Sequence, residues 1–590
     1  MKMNFSYGLF LIFIANLLLG CKGKSGEENN FRRSENIVHA RLPGEPDRLN
    51  PLITFNSYSR TVNEQLFLNL LQFDPTTLEL QPQLAKSRPV ITEITEGPWK
   101  GGVAYTFELH EEATWDNGAP ITGNDVRFTF KALFVPQVPA AAVRSYLDFV
   151  KDLSVDASNP KRFTVYTNQK YILGEAAIST VSVYPEHHYD PNGLLRNYAL
   201  KDLTDPAQAE RLSADSTLSK FAEALQSEPF AREKNFVQGS GPYALEGWAT
   251  GRQIVLKRKT NWWGTALAER YPMLRALPDQ VVFSIIPDQV TALAAIRSEE
   301  IDVAGQIDTK DFSELRQDSA AQRLYNFYTP TALQLFYIGI NNRSAKLSDK
   351  RVRRALAHLL DMDAVIRDLY FGMAQRVTGP FHPNQPYYHK ALAPIDYDVM
   401  KARNLLKEAG WEDTNGNGTL DKVLGGKLTE LELEYLASES SKFSMSLALL
   451  FQQNVAQAGV KINIVPRQFP ALIESLKSHE FELHGGAWVA EPLPDDPKQL
   501  WHTESYTADG GNRVGFGNAT TDALIDEIRT TLDEEKRNGL YRKFQELVYE
   551  EQPCIFLMAP QERVLIHKRF EAKPSVLRPG FFVNEFAIKR

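Results

Sequence analysis

The residues of this chain that could do chemistry are scattered, and most fail on spacing. His479-Glu480 is followed by a histidine at position 484, one place too late for the His-Glu-x-x-His helix that holds a catalytic zinc. His187 and His188 are adjacent and would face apart on any regular element. Gly23-Lys24-Ser25 matches the end of a phosphate-binding loop, but Leu18 stands where its first glycine belongs. No Gly-x-Ser-x-Gly turn occurs. With only Cys21 and Cys554, neither a cysteine zinc site nor a disulfide framework can form. No nucleophile with its base is on display, so an enzyme is not expected and no cofactor is implied.

Three patterns deserve a physical reading. Asp413, Asn415, Asn417 and Asp421 place side-chain oxygens at alternate positions of a loop with Gly418 at the sixth, as in a calcium loop. The twelfth position is Leu424, where a calcium loop has its bidentate glutamate, and a solvated acidic turn is the alternative. Asp116-Asn117-Gly118 is a tight turn, since Asn and Gly tolerate positive φ, and Trp115 is expected to pack beneath it. Trp488-Val489-Ala490-Glu491 follows Gly485-Gly486 and precedes the proline-rich stretch from Pro492 to Pro497.

The elements that must position these residues alternate in type. Val281 to Ile286 reads as a strand, Asp288 caps a helix over Val290 to Arg297, and Ile301 to Ala304 reads as a second strand. Asp349 caps a helix through Val352, Ala355, Leu356 and Leu359, and Gly410 closes another over Lys401 to Ala409. Phe443 to Ala458 is helical and ends at Gly459, before an alternating strand with Val460, Ile462 and Ile464. Ala471 to Leu476 starts a further helix. This alternation predicts an α/β protein with open sheets. Residues 77–234 differ and read as an inserted α+β domain opening on the strand Ala104 to Leu109.

The chain has 590 residues, 43% hydrophobic and 24% charged, with a formal net charge of -7. No basic block asks for a nucleic-acid partner. Lys2 precedes an apolar run from Leu9 to Leu19 that is shorter than the ~20 residues a membrane span needs. Residues 1–20 therefore read as a signal peptide. The run ends Leu18-Leu19-Gly20-Cys21, which resembles the lipobox of bacterial lipoproteins. Lipidation at Cys21 would anchor the chain to a bacterial membrane through a polar tether, 21–35; an ordinary secretory signal is the alternative. Cys554, within Cys554-Ile555-Phe556-Leu557, then reads as a core residue.

A longer succession of segments carries a family likeness. Leu49-Asn50-Pro51 is followed by Tyr105 to Leu109, then by Ala113-Thr114-Trp115-Asp116-Asn117-Gly118 running on to Asp125-Val126. Gly239-Ser240-Gly241-Pro242-Tyr243, Asn261-Trp262-Trp263-Gly264 and Ile301-Asp302-Val303 come next. Arg351 to Leu356 and Ala402 to Trp411 complete the series. This order resembles the family 5 extracellular solute-binding proteins, which include oligopeptide- and dipeptide-binding proteins. One departure is Gly123, where the family usually has alanine.

The resemblance implies a two-lobed periplasmic-binding-protein fold with a hinge and an extra inserted α+β domain. Lobe I is expected over 36–76, 235–330 and 555–590, the inserted domain over 77–234, and lobe II over 331–554. The hinge is expected near Leu335 to Gly339 and Phe556 to Pro560. Peptide-binding relatives carry an aspartate three residues after the tryptophan of the Trp488 motif, and it receives the ligand's amino terminus. That place resembles Glu491 here, where a carboxylate in a closed cleft can pair with an ammonium. Alternatively Glu491 is an exposed loop acid and Asp495 or Asp496 takes the role. The backbone of Trp488, Val489 and Ala490 would pair with an extended peptide as an added strand. The loop Thr54-Phe55-Asn56-Ser57-Tyr58 resembles lobe I's contribution, or else is a surface turn.

The implied function is capture of oligopeptides between the lobes for an ABC importer permease, by a monomer in the cell envelope or periplasm. Other solutes (a nickel complex, haem, an oligosaccharide) and a secreted hydrolase are the alternatives.

Overall fold

The computed structural model describes residues 35–589 except Phe55, Ser440, Glu491 and Asp509. The signal peptide 1–20, Cys21 and nearly all of the tether lie outside the described residues. Among the described residues no helix is long and apolar enough to cross a membrane.

Two large mixed sheets organise the chain. The first has seven strands, in the order Tyr325–Tyr328, Val564–His567, Val303–Ala304, Ile37–Leu42, Gln280–Ile285, Gln253–Arg258 and Tyr243–Ala249. Ile37–Leu42 runs parallel to both its neighbours, so the helix Gln289–Arg297 crosses over it in passing from Gln280–Ile285 to Val303–Ala304. Asp288 caps that helix as its sequence predicts, accepting from the Thr291 amide at 2.8 Å. The second sheet has six strands, in the order Ala374–Arg376, Cys554–Pro560, Gln334–Ile340, Leu483–Val489, Glu432–Ser438 and Lys461–Arg467. Helices Lys350–His358 and Lys442–Ala456 pack on it through Val352, Leu356, Leu447 and Phe451.

Within 77–234 an antiparallel four-stranded sheet, Val90–Glu93, Val103–Glu108, Arg162–Thr167 and Val150–Val155, packs with the helix Gly123–Phe134. Its core is continuous with that of the seven-stranded sheet: Phe107, Phe130 and Phe221 join one buried cluster with Val38, Phe283 and Phe586.

The sheet memberships revise the expected hinge. Gln334–Ile340 has strands on both edges, and Cys554–Pro560 is one of them, so Leu335–Gly339 and Phe556–Pro560 lie inside the six-stranded sheet. The passages between the large sheets are 329–333 and 561–563. They form a short ribbon: the Ala332 amide donates to the Pro560 carbonyl at 2.8 Å, and the Glu562 amide to that of Pro330 at 2.7 Å. Ile338 and Ile340 of this strand are buried in the core of the second sheet, and Leu335 in a cluster beside it.

Candidate functional site

The strand Leu483–Val489 has one satisfied edge and one open one. It pairs antiparallel with Gln334–Ile340 along its whole length, Ile340 opposite Leu483 and Gln334 opposite Val489. On its other edge Glu432–Ser438 reaches only Leu483 and His484. In an antiparallel ladder the backbone groups of alternate residues point to alternate sides. The Ala490 amide donates to Leu333 at 2.9 Å, and the Glu482 carbonyl accepts from Asn341 at 2.9 Å. Even-numbered residues therefore bond to Gln334–Ile340. Ala487 and Val489 present their N–H and C=O groups to the side where, among the described residues, no strand of the sheet follows. Both are exposed, Val489 at 60%.

The opposite face holds the strand in place. Trp488 stacks on Tyr337 and meets Trp501 edge-on at 5.4 Å between centroids. Gly486 is required by this stack, since a Cβ there would lie 2.5 Å from the Tyr337 ring. A Cβ on Gly485 would lie 3.0 Å from the Tyr435 hydroxyl. Ala490 is buried and ends the ladder.

The chain then enters the acidic loop. Glu491 lies outside the described residues. Asp495 and Asp496 each have protein partners. Asp495 accepts from the Tyr387 hydroxyl at 2.9 Å, and its backbone carbonyl accepts from the Tyr541 hydroxyl. Burial pushes the Asp495 carboxyl up to about 7; the Tyr387 hydroxyl opposes the shift and the neighbouring Asp496 adds to it. Asp496 accepts from Arg529 Nε on both oxygens at 3.0 Å and from the Tyr171 hydroxyl at 3.0 Å.

Asn56, Ser57 and Tyr58 lie beside the seven-stranded sheet, and the structure corrects their expected loop to a helix start. Asn56 caps the helix Ser57–Leu66, its Oδ1 accepting from the Tyr58 and Ser59 amides at 2.8 and 3.2 Å. Its Nδ2 donates to the Glu45 carbonyl at 3.4 Å, so the side chain is engaged locally. Ser57 is exposed, and the Tyr58 ring closes over Gly44. Phe55 lies outside the described residues.

The remaining singled-out residues are engaged in shaping their own loops. Asp413 accepts from the amides of Gly416, Asn417 and Gly418. Asn415 and Asn417 accept from Asn417 and Thr419 amides, and Asp421 is buried and takes both groups of Thr414. Among the described residues no group of three His, Cys, Asp or Glu gathers to hold a metal. Trp115 is buried under its turn, with Gly118 at φ +82°, and donates Nε1–H to Asp125 at 3.2 Å. Gly123 fits where a Cβ would lie 2.9 Å from that of Phe163, which accounts for its departure from alanine. Cys554 is fully buried in its strand. A surface recess of about 730 Å³ beside Glu482, at the start of Leu483–Val489, is already cross-paired, Lys346 with Glu482 at 3.0 Å.

Sequence reasoning missed Tyr337 and the partners of Asp496. The glycine pair before Trp488 was the available signal for Tyr337, because adjacent glycines in a strand mark a close approach. Tyr171 and Arg529 had none.

Comparison with known proteins agrees with this architecture. The family described as bacterial extracellular solute-binding proteins, family 5 Middle, matches residues 79–511. The chain is 24% identical over 577 residues to the oligopeptide-binding protein AppA of Bacillus subtilis, covering 95% of this chain and 94% of that one. It is 23% identical to the heme-binding protein A of Haemophilus influenzae, covering 85% and 83%. The structure of AppA from Bacillus subtilis in complex with a nonapeptide superposes with a TM-score of 0.63 at 23% identity, over 94% of this chain and 99% of that one.

Proposed function

This chain belongs to the bacterial extracellular solute-binding proteins, family 5, and from that premise we propose that it captures oligopeptides between its two large sheets and delivers them to an ABC importer. The observation that carries this reading is the open edge at Ala487 and Val489. Two backbone N–H groups and two carbonyls at a strand spacing suit an extended main chain, which they bind with little regard for side chains. A haem or a metal chelate has no such repeating donor-acceptor ladder. The relative named for oligopeptides and the neighbour with a bound nonapeptide support the same solute class.

The lobes of this reading are the two large sheets with their helices, 77–234 riding on the first. The ribbon 329–333 and 561–563 is the hinge, since a joint of two short segments permits rotation. A peptide that touches both lobes only when they are together shifts the population toward closure. Glu491 receives its amino terminus, the adjacent Asp495 and Asp496 being already partnered. Cys21 carries the lipid that holds the protein in the cell envelope. No catalytic step is part of this reading.

The test is to purify the mature protein lacking 1–35, denature it, and identify what it releases by mass spectrometry. A mixture of peptides is expected. A single haem, sugar or metal chelate in stoichiometric amount overturns the substrate class.

A further inference from the structure

A closed ring of hydrogen bonds joins 77–234 to the second lobe. Its members come from three distant parts of the chain. Tyr171 is held in the inserted region, its ring edge-on to Phe149 at 5.3 Å between centroids. Its hydroxyl donates to Asp496 at 3.0 Å. Asp496 receives Arg529 Nε on both oxygens, and Arg529 stands at the end of the helix Ala519–Thr530. The last carbonyls of a helix have no partner within it. The Arg529 carbonyl accepts a hydrogen bond from the backbone amide of Ile172, the residue after Tyr171, at 3.0 Å. One lobe thus completes the other's helix end, and the four residues close a circuit.

The circuit sits on an apolar seam. Ile172 and Leu173 are buried in a cluster whose other members, among them Phe556, Ile525 and Ile528, belong to the second lobe. The guanidinium of Arg529 lies 5.5 Å from the centre of the Tyr171 ring. A carboxylate on a guanidinium and a hydroxyl makes strong, charge-assisted hydrogen bonds. Asp496 is reached by the same loop that leaves the open-edged strand at Val489.

We propose that Tyr171, Asp496 and Arg529 form an interlobe clasp, a third connection beside the two hinge passages, which positions the loop after Val489 and sets the fraction of molecules that are closed. That the clasp tunes ligand retention rests on the peptide reading above; its existence as an opening and closing connection does not. The hinge passages alone leave the lobes free to rotate. The clasp adds a definite closed position, and a guest paired to Ala487 and Val489 steadies the loop that bears Asp496. Occupancy and closure then reinforce one another, since apparent affinity scales with the fraction of binding-competent molecules.

The experiment compares the full-length protein with Asp496→Asn, Tyr171→Phe and the double variant. Three readouts are taken: small-angle scattering without ligand, hydrogen exchange at the Ile172 amide, and calorimetric titration with tetra-alanine. Each variant is expected to enlarge the radius of gyration of the unliganded protein. Exchange at Ile172 should speed up by about tenfold, and tetra-alanine affinity should fall by about tenfold, with the double variant no worse than Asp496→Asn. Should Asp496→Asn fail to fold, Tyr171→Phe, which removes a single hydroxyl, carries the test. Unchanged scattering and unchanged Ile172 exchange in the variants overturn the clasp. Changed scattering and exchange in a protein that never binds tetra-alanine uphold the clasp and count against the peptide reading instead.

Discussion

The ring of Tyr337 lies flat on the indole of Trp488, with centroids 3.7 Å apart and planes 14° apart. The two residues belong to paired strands, and Gly486 leaves the room that lets them meet. Gly486→Ala is therefore expected to push the stack apart. Overpacking of this kind costs about 1–3 kcal/mol. Urea melting and the near-ultraviolet circular dichroism of the aromatic pair measure it; a variant with both signals unaltered would show the stack to be loose.

Proline substitutions separate the two edges of the same strand. The Val489 amide points away from Gln334–Ile340, so Val489→Pro removes a donor from the open side alone. Stability should change by less than about 1 kcal/mol while peptide binding is lost. Trp488→Pro instead breaks the ladder and removes the stacked indole, whose loss alone should cost about 3–5 kcal/mol. Chemical denaturation beside peptide titration gives the contrast. If Val489→Pro binds peptides as the unaltered protein does, strand addition at this edge is wrong.

Asp495 gives stability a slope with pH. Its carboxyl is pushed up to about 7 in the fold, from an ordinary 3.8. Between these values the folded chain keeps a proton that the unfolded chain has released, so its contribution is full below pH 4 and is lost as pH rises through 7. Asp495→Asn cannot ionise and should be more stable than the natural protein at pH 8, by about 2–4 kcal/mol. Buried His382 and His484 act oppositely. Burial pushes both down to about 4, so their contribution is present above pH 6.5 and lost as pH falls through 4. The acid limb should thus survive in the variant, and with nothing opposing the histidines its stability should rise more steeply from pH 4 to 6.5 than that of the natural protein. Melting at pH 3, 5 and 8 decides; parallel curves for the two proteins refute the assignment.

Burial raises the Cys554 thiol far above its usual value, so little of the reactive thiolate forms in the fold. In a Cys21→Ser background, a thiol reagent at pH 8 should label nothing until denaturant is added, and then one site per chain. Rapid labelling without denaturant would contradict the burial.

Much of this architecture was legible because its signals are local. Asp288 and Asp349 cap helices as their positions predict, and Gly410 and Gly459 turn at φ +84° and +77° just past helix ends. Cys554 and Trp115 are buried where apolar context and turn chemistry put them. The segments expected as the hinge fall inside the six-stranded sheet, because a family likeness gives the order of segments and not the residue at which the chain leaves one sheet for the other. Asn56 became a cap since an Asn before Ser57 serves a loop and a helix start equally well. The Tyr171 to Asp496 bond spans 325 positions, and no periodicity carries information over that distance.

The alternation along Leu483–Val489 makes this segment intolerant of changes in length. Insert or delete one residue after His484 and every group beyond it would exchange sides: the indole would turn outward to water, and the carbonyls now on the open edge would be spent on Leu335 and its neighbours. Side chains on this strand can be exchanged with its register kept. Residues cannot be added to it on the same terms.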